Sequence, residues 1–226
     1  MNLAEHYHKL YSDSIAKISS GDYELDHLID DNTDQRFGIT LVIRPDAVTN
    51  NNIQQFLTEA KAIEPGQYYY QNTDIHITLM SIISCYDGFN LKNIHVQNYI
   101  ELMQQVLARH KSFKIQFKGL TASPSCILIQ GFLTDTLNEI RDDLRAGFKN
   151  SVLQQSIDKR YAIQTAHSTV IRFRSELENK DVFVKLIEKY RGFDFGTFEV
   201  NKIELVYNDW YQRERFVQKL HQFSLS

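Results

Sequence analysis

The chain has 226 residues, enough for one large domain or two small, closely packed lobes. Hydrophobic residues make up 42% and charged residues 23%, and three prolines with nine glycines leave no room for a long flexible linker or low-complexity tail. A formal charge of −3 argues against a grip on long nucleic acid, which needs a basic surface, but allows a short or mononucleotide ligand held by a local positive patch.

In chain order, Leu3, Tyr7, Leu10, Tyr11, Ser14 and Ile18 fall at helical spacing and predict an amphipathic helix over residues 3–18, followed by an acidic loop over 21–34. Residues 38–44, GITLVIR, read as a strand halted by Pro45. A helix is predicted over 51–63, a strand over 74–83, a helix over 93–108 and an alternating strand over 113–120. The order then repeats: strand 126–132, helix 136–148, strand 161–173, helix 179–190 and strand 198–207, whose phase slips at Asn201–Lys202 as a bulge would make it. The reading is one α+β bilobal domain over residues 1–226. It has a helical extension (1–36), a first unit (37–120) and a second unit (121–226) duplicated in element order.

Cys85 and Cys126 stand alone without a Cys-x-x-Cys pair, and MNLAEHYHKL has no basic region followed by an apolar stretch. Apolar runs such as 39–43 are far short of a membrane span. The expectation is a cytoplasmic protein with no membrane association, monomeric by default. The metal-binding signatures, His-Glu-x-x-His, paired cysteines and an acidic calcium loop, do not occur, so no cofactor is predicted.

The second strand of each unit contains His-x-Thr, as His76-Ile77-Thr78 and His167-Ser168-Thr169. In an extended strand residues i and i+2 share a face, so each unit presents an imidazole beside a hydroxyl from a rigid element. Hydrolysis of a phosphodiester requires taking a proton from the nucleophile and giving one to the departing oxygen. Histidine does either near neutral pH. Hydroxyls beside the imidazoles suit the non-bridging oxygens, where transition-state charge gathers.

With a hydrophobic residue after each hydroxyl, His76-Ile77-Thr78-Leu79 and His167-Ser168-Thr169-Val170 resemble the two-histidine phosphoesterase superfamily of 2′,3′-cyclic phosphodiesterases and proteins described as 2′–5′ RNA ligases. The resemblance covers roughly residues 37–207. It implies two pseudo-symmetric lobes, each a mainly antiparallel sheet backed by helices, with both motifs at the floor of a central groove. It further implies a catalytic role for His76 and His167 and phosphate contact for Thr78 and Thr169. The substrate would be a small nucleotide or a cyclic-phosphate oligonucleotide. RNA end joining, a non-catalytic nucleotide-binding module and a structural or sugar-binding role stand as alternatives. The extension 1–36 lies outside the pattern, where it would cap or shape the groove.

Several relatives carry an arginine shortly after the second motif, and Arg172 holds such a place, although strict alternation points it away from His167. Tyr70 and Tyr207 are candidates to contact a nucleobase, or aromatics packed at a lobe edge. Lys114 and Lys118 read as a solvated strand face. Arg141, Asp142, Asp143 and Arg145 read as exposed salt pairing on a helix, His27, His95, His110 and His221 as surface residues, and His6 and His8, on a helix, do not share a face for a metal.

Overall fold

The computed structural model describes residues 2–159 and 162–226. Helix α1 (Leu3–Ser20) begins at Asn2, whose side chain accepts from the amides of Ala4 and Glu5. It ends at Gly21, whose left-handed φ of 83° lets the backbone cap the last turn. Tyr7, Tyr11, Ser14 and Ile18 form its buried stripe, as their spacing predicts.

Strands β1 (Arg36–Ile43), β2 (Tyr68–Tyr69), β3 (Ile77–Asp87), β4 (Phe113–Ser123), β5 (Cys126–Leu133), β6 (Ser168–Arg172), β7 (Asp194–Val200), β8 (Lys202–Asp209) and β9 (Gln218–Ser224) build two antiparallel sheets. One runs β3-β1-β8-β9 and the other β2-β6-β5-β4-β7. The helices are α2 (Ala47–Ile63), α3 (Val96–Leu107), α4 (Thr136–Lys149) and α5 (Lys180–Lys189). Helices α3 and α4 pack together against β9 and β3 of the first sheet. Helices α1 and α2 pack on β4 and β7 of the second, and α5 packs against α1 and α2. The architecture is α+β with two helix-backed sheets.

The two halves of the sequence do not each build one sheet. β4, the last strand of residues 37–120, pairs with β5 and β7 in the second sheet, while β8 returns to pair with β1 in the first. The slip at Asn201–Lys202 is therefore not a bulge within one strand. β7 stops at Val200, and the chain passes into β8 and the other sheet. Phe198 and Val200 are buried in one lobe and Ile203 and Leu205 in the other, so the change of phase marks a change of sheet. Helix exchange accompanies strand exchange: α2 leaves β1 of the first sheet and packs on β7 of the second, and α4 leaves β5 and packs on β3.

Some boundaries differ from the predicted ones. Helix α2 starts a turn early because Asp46 caps it through the Thr49 amide at 2.8 Å. The strand read over 161–173 is regular only as β6. Residues 162–167 have no regular structure, and Tyr161 lies outside the described residues. Strand β3 begins at Ile77, so His76 sits just ahead of it.

Candidate active site

A cavity of about 420 Å³ lies between the sheets. His76 and Thr78 border it from one side, and His167, Thr169 and Arg172 from the other. Both rings are hemmed in by protein yet keep part of their surface open.

His76 is held by main chain. Its Nδ1 lies 2.7 Å from the carbonyl oxygen of Asp74. A carbonyl only accepts, so Nδ1 carries the hydrogen and Nε2 holds the lone pair of the neutral ring. The segment ahead of the ring is pinned in turn. Arg44 donates from Nη1 to Thr73 O at 2.6 Å and pairs through Nε with Glu204 at 3.0 Å. The Asp74 carboxylate accepts from the Glu214 amide at 2.9 Å. Beyond the motif β3 bulges against β1. Val42 faces Thr78 and Leu41 faces Met80, then Thr40 faces Ser81 and Ile39 faces Ile83. Alternation is broken at each slip, and Thr78, Ser81 and Ser84 come to border the cavity at intervals of three residues.

His167 is held by a side chain. Its Nδ1 lies 2.6 Å from Thr165 Oγ1, a hydroxyl that can donate or accept, so either neutral tautomer is served. Ala166, just before it, packs so closely on Gly131 that a Cβ at position 131 would overlap the Ala166 carbonyl. The fully buried Tyr7 of α1 donates through its hydroxyl to Gly131 O at 3.2 Å, accepts from Gly131 N at 3.3 Å and adjoins the Thr165 side chain. The N-terminal extension thus supports the second motif from behind, and does not stand over the groove at this point.

A bulge also settles where Arg172 points. Ile127 faces Ile171 and the next residue, Leu128, faces Thr169, so Val170 is the extra residue on β6. The slip puts Thr169 and Arg172 on one face, contrary to strict alternation, and both border the cavity. Arg172 donates from Nε to the Tyr70 hydroxyl at 3.0 Å and from Nη1 to Asp26 at 3.3 Å, with its guanidinium 5.4 Å from the centre of the Tyr211 ring. Tyr211 donates to Asp26 at 2.7 Å. Asp26 belongs to the extension, which therefore reaches the site a second time.

Burial lowers both histidines to about 4, because a crowded site penalises the charged form. At His76 the Asp74 carbonyl opposes the shift, while the charges of Arg44, His167 and Arg172 add to it. At His167 the positive charges of Arg141 and Arg172 act in the same direction as burial. At neutral pH both rings of the free site are uncharged. An entering anion supplies the opposite charge and raises both.

The two motifs, from different sheets and facing one cavity, lie within residues 49–211, which match the family model described as the 2′-5′ RNA ligase superfamily. The chain belongs to this superfamily. It is thereby a member of the two-histidine phosphoesterases, as the motifs imply. TT0787 of Thermus thermophilus is similar at a TM-score of 0.59 and 14% identity, over 83% of this chain and 97% of that one. E. coli LigT complexed with 3′-AMP is similar at 0.56 and 14%, over 84% and 99%. LigT complexed with NADP+ gives 0.55 and 13%, over 85% and 99%. At these identities the likeness concerns the fold. No curated protein matches the chain.

Within this superfamily member the remaining predicted residues separate clearly. Tyr70 is buried at the cavity wall and serves Arg172 through its hydroxyl. Tyr207 is not at the cavity. It stacks on Phe37 with centroids 5.0 Å apart, while its neighbour Asn208 points the other way and borders the cavity. Lys114 and Lys118 are exposed, as expected. Arg141 is the clear correction, being fully buried. The signal was present in the sequence: Leu137, Ile140, Arg141, Leu144 and Phe148 form one helical stripe. Among the other histidines, His110 pairs with Asp143 at 2.9 Å and His6 is only partly exposed. Trp210, Gln212 and the Arg145–Asp158 pair border the cavity without having been predicted to. Among the described residues no group of three His, Cys, Asp or Glu is placed to hold a metal ion, and no helix is long and apolar enough to cross a membrane.

Proposed function

We propose that this protein is a phosphodiesterase that opens a cyclic phosphate on a small nucleotide, such as a 2′,3′-cyclic end, with His76 and His167 as its acid–base pair. One ring takes a proton from water as the water oxygen attacks phosphorus. The bond from phosphorus to the ester oxygen breaks, and the other ring gives its proton to that oxygen. Thr78, Thr169 and Arg172 hold the non-bridging oxygens as charge builds on them. The observation carrying this reading is that the two imidazoles, each tied at Nδ1, stand just ahead of strands of different sheets and reach one cavity. Its volume of about 420 Å³ is within the range of small-molecule sites and exceeds the needs of a bare phosphate. LigT, of the same fold, has been solved with 3′-AMP and with NADP+, which supports a small-nucleotide ligand here.

The test is turnover of a panel of 2′,3′- and 3′,5′-cyclic nucleotides and short cyclic-phosphate oligonucleotides, beside His76→Ala and His167→Ala. At least one compound is opened by the native protein, with a loss of roughly 10²–10⁴-fold in each variant. Binding without turnover would make the protein a nucleotide-binding module, and joining of RNA ends without hydrolysis would make it a ligase. Either result overturns the proposal.

A further inference from the structure

Arg141 has no exposed surface and, among the described residues, no ion-pair partner; the adjacent Asp142 pairs with Arg145 instead. Its donors go to main-chain carbonyls. Nε reaches Leu79 O at 2.9 Å, Nη2 reaches Thr78 O at 3.2 Å and Thr165 O at 2.8 Å, and Nη1 has no hydrogen-bond partner among the described residues. Thr78 and Leu79 belong to the first motif. Thr165 is the residue whose hydroxyl holds the His167 ring. A buried cation facing only neutral acceptors is a poor device for stability, since an apolar side chain of similar size would avoid the desolvation. What the guanidinium offers is a rigid planar fork, able to grasp two segments at once.

We propose that Arg141 is a positioning residue, a single fork that fixes the histidine-bearing segments of the two sheets at one separation across the cavity. The inference rests on the acid–base reading of His76 and His167 and adds what sets their mutual reach. Displacement of either ring by a fraction of an ångström to an ångström is the kind of error that costs about 10²-fold in rate without abolishing binding. The same cation lies near enough to His167 to disfavour its protonation, together with Arg172, and His6 is the other titratable group beside that ring. Around Arg141 itself the charged and titratable groups are Arg145, Tyr7, Asp158 and Asp142.

The experiment compares native protein, Arg141→Met and Arg141→Lys by steady-state kinetics on the substrate found above, and by ¹⁵N NMR titration of the imidazoles, with His167 assigned through His167→Ala. Arg141→Met is expected to lower kcat by about 10–100-fold with KM changed less than about 3-fold. Removal of a neighbouring positive charge raises the pH at which His167 titrates, and loosening of Thr165 changes its tautomer balance. Arg141→Lys, which keeps a cation but only as a point donor, falls between the two in kcat. If folded Arg141→Met keeps native kcat and a native His167 titration, the proposal is overturned. It is equally overturned if both variants lose activity only in step with their folded fraction. Should Arg141→Met fail to fold, Arg141→Lys carries the decision. If the native protein turns over nothing, the functional reading fails, and the His167 titration and tautomer still decide the role of Arg141.

Discussion

The first and second motifs differ by one residue within His-x-Thr, and the protein holds them by different means. His76 leans on a carbonyl that cannot change its role, at the mouth of an eleven-residue strand whose approach is fixed by Arg44. His167 leans on a hydroxyl that can reverse its role, ahead of a five-residue strand propped by Gly131, Tyr7 and Arg141. One ring is therefore confined to a single neutral tautomer and the other is not. Equivalent letters in duplicated units do not make equivalent groups, because the polarity of the Nδ1 partner decides which proton inventory each imidazole carries.

The largest test of that contrast is removal of the rings themselves. If the two act as one acid–base unit, His76→Ala and His167→Ala each cost roughly 10²–10⁴-fold in kcat, and the double variant is scarcely worse than either single one. Full additivity in the kinetics would break the pairing. A smaller effect is expected from Thr165→Val, which deletes the hydroxyl that tethers His167. A loss of about 10-fold in kcat with His76 unmoved in NMR would sharpen the difference between main-chain and hydroxyl support. An equal disturbance of both rings would erase it.

Acid supplies a third test. Each imidazole titrates near 6.5 when unfolded and about 4 in the free folded site. Between those values the unfolded chain binds more protons, so stability falls as pH drops through this window and levels off below it. With allowance for water in the cavity the loss is on the order of 2 kcal/mol per ring, and His76→Gln or His167→Gln should each remove its share, read as a smaller drop in Tm between pH 7 and pH 5. A bound phosphate ester raises both pKa values. The kcat optimum should therefore lie at higher pH than the kcat/KM optimum, since the latter reports the free site. Coincident optima would show that the ligand leaves the rings unperturbed. The smallest effect is that of Tyr7→Phe, which removes hydroxyl bonds to Gly131 and should cost about 0.5–1.5 kcal/mol in denaturant unfolding, with a modest decrease in kcat transmitted only through the second motif.

Much of this arrangement is legible in single strands and helices. The stripe of α1, the helix–strand order of both units and the two His-x-Thr motifs follow from periodicities of 3.6 and 2, which each segment carries by itself. Arg172 shows where that logic stops. Its direction depends on one unpaired residue at Val170, and a bulge is a mismatch between two strands that neither strand records alone. Arg141 is a different failure. It sits on the buried stripe of α4, yet its charge and acidic neighbours read as solvent-facing, because only the carbonyls of Thr78, Leu79 and Thr165 make burial tolerable there.

Local sequence pattern was enough to place the main helices and strands of both units, though not β2, β9 or the short extent of β6, and to place the two imidazoles with a threonine hydroxyl two residues after each. The exchange of β4 and β8 between sheets, the support of the site by Asp26 and Tyr7 of the extension, and the bulge that turns Thr169 and Arg172 to one face arise only from long-range packing. Local pattern is set by side chains a few residues apart. Partner, register and the neutral or charged character of a tether are set by groups distant in sequence, and those are fixed only when the two sheets close on one another.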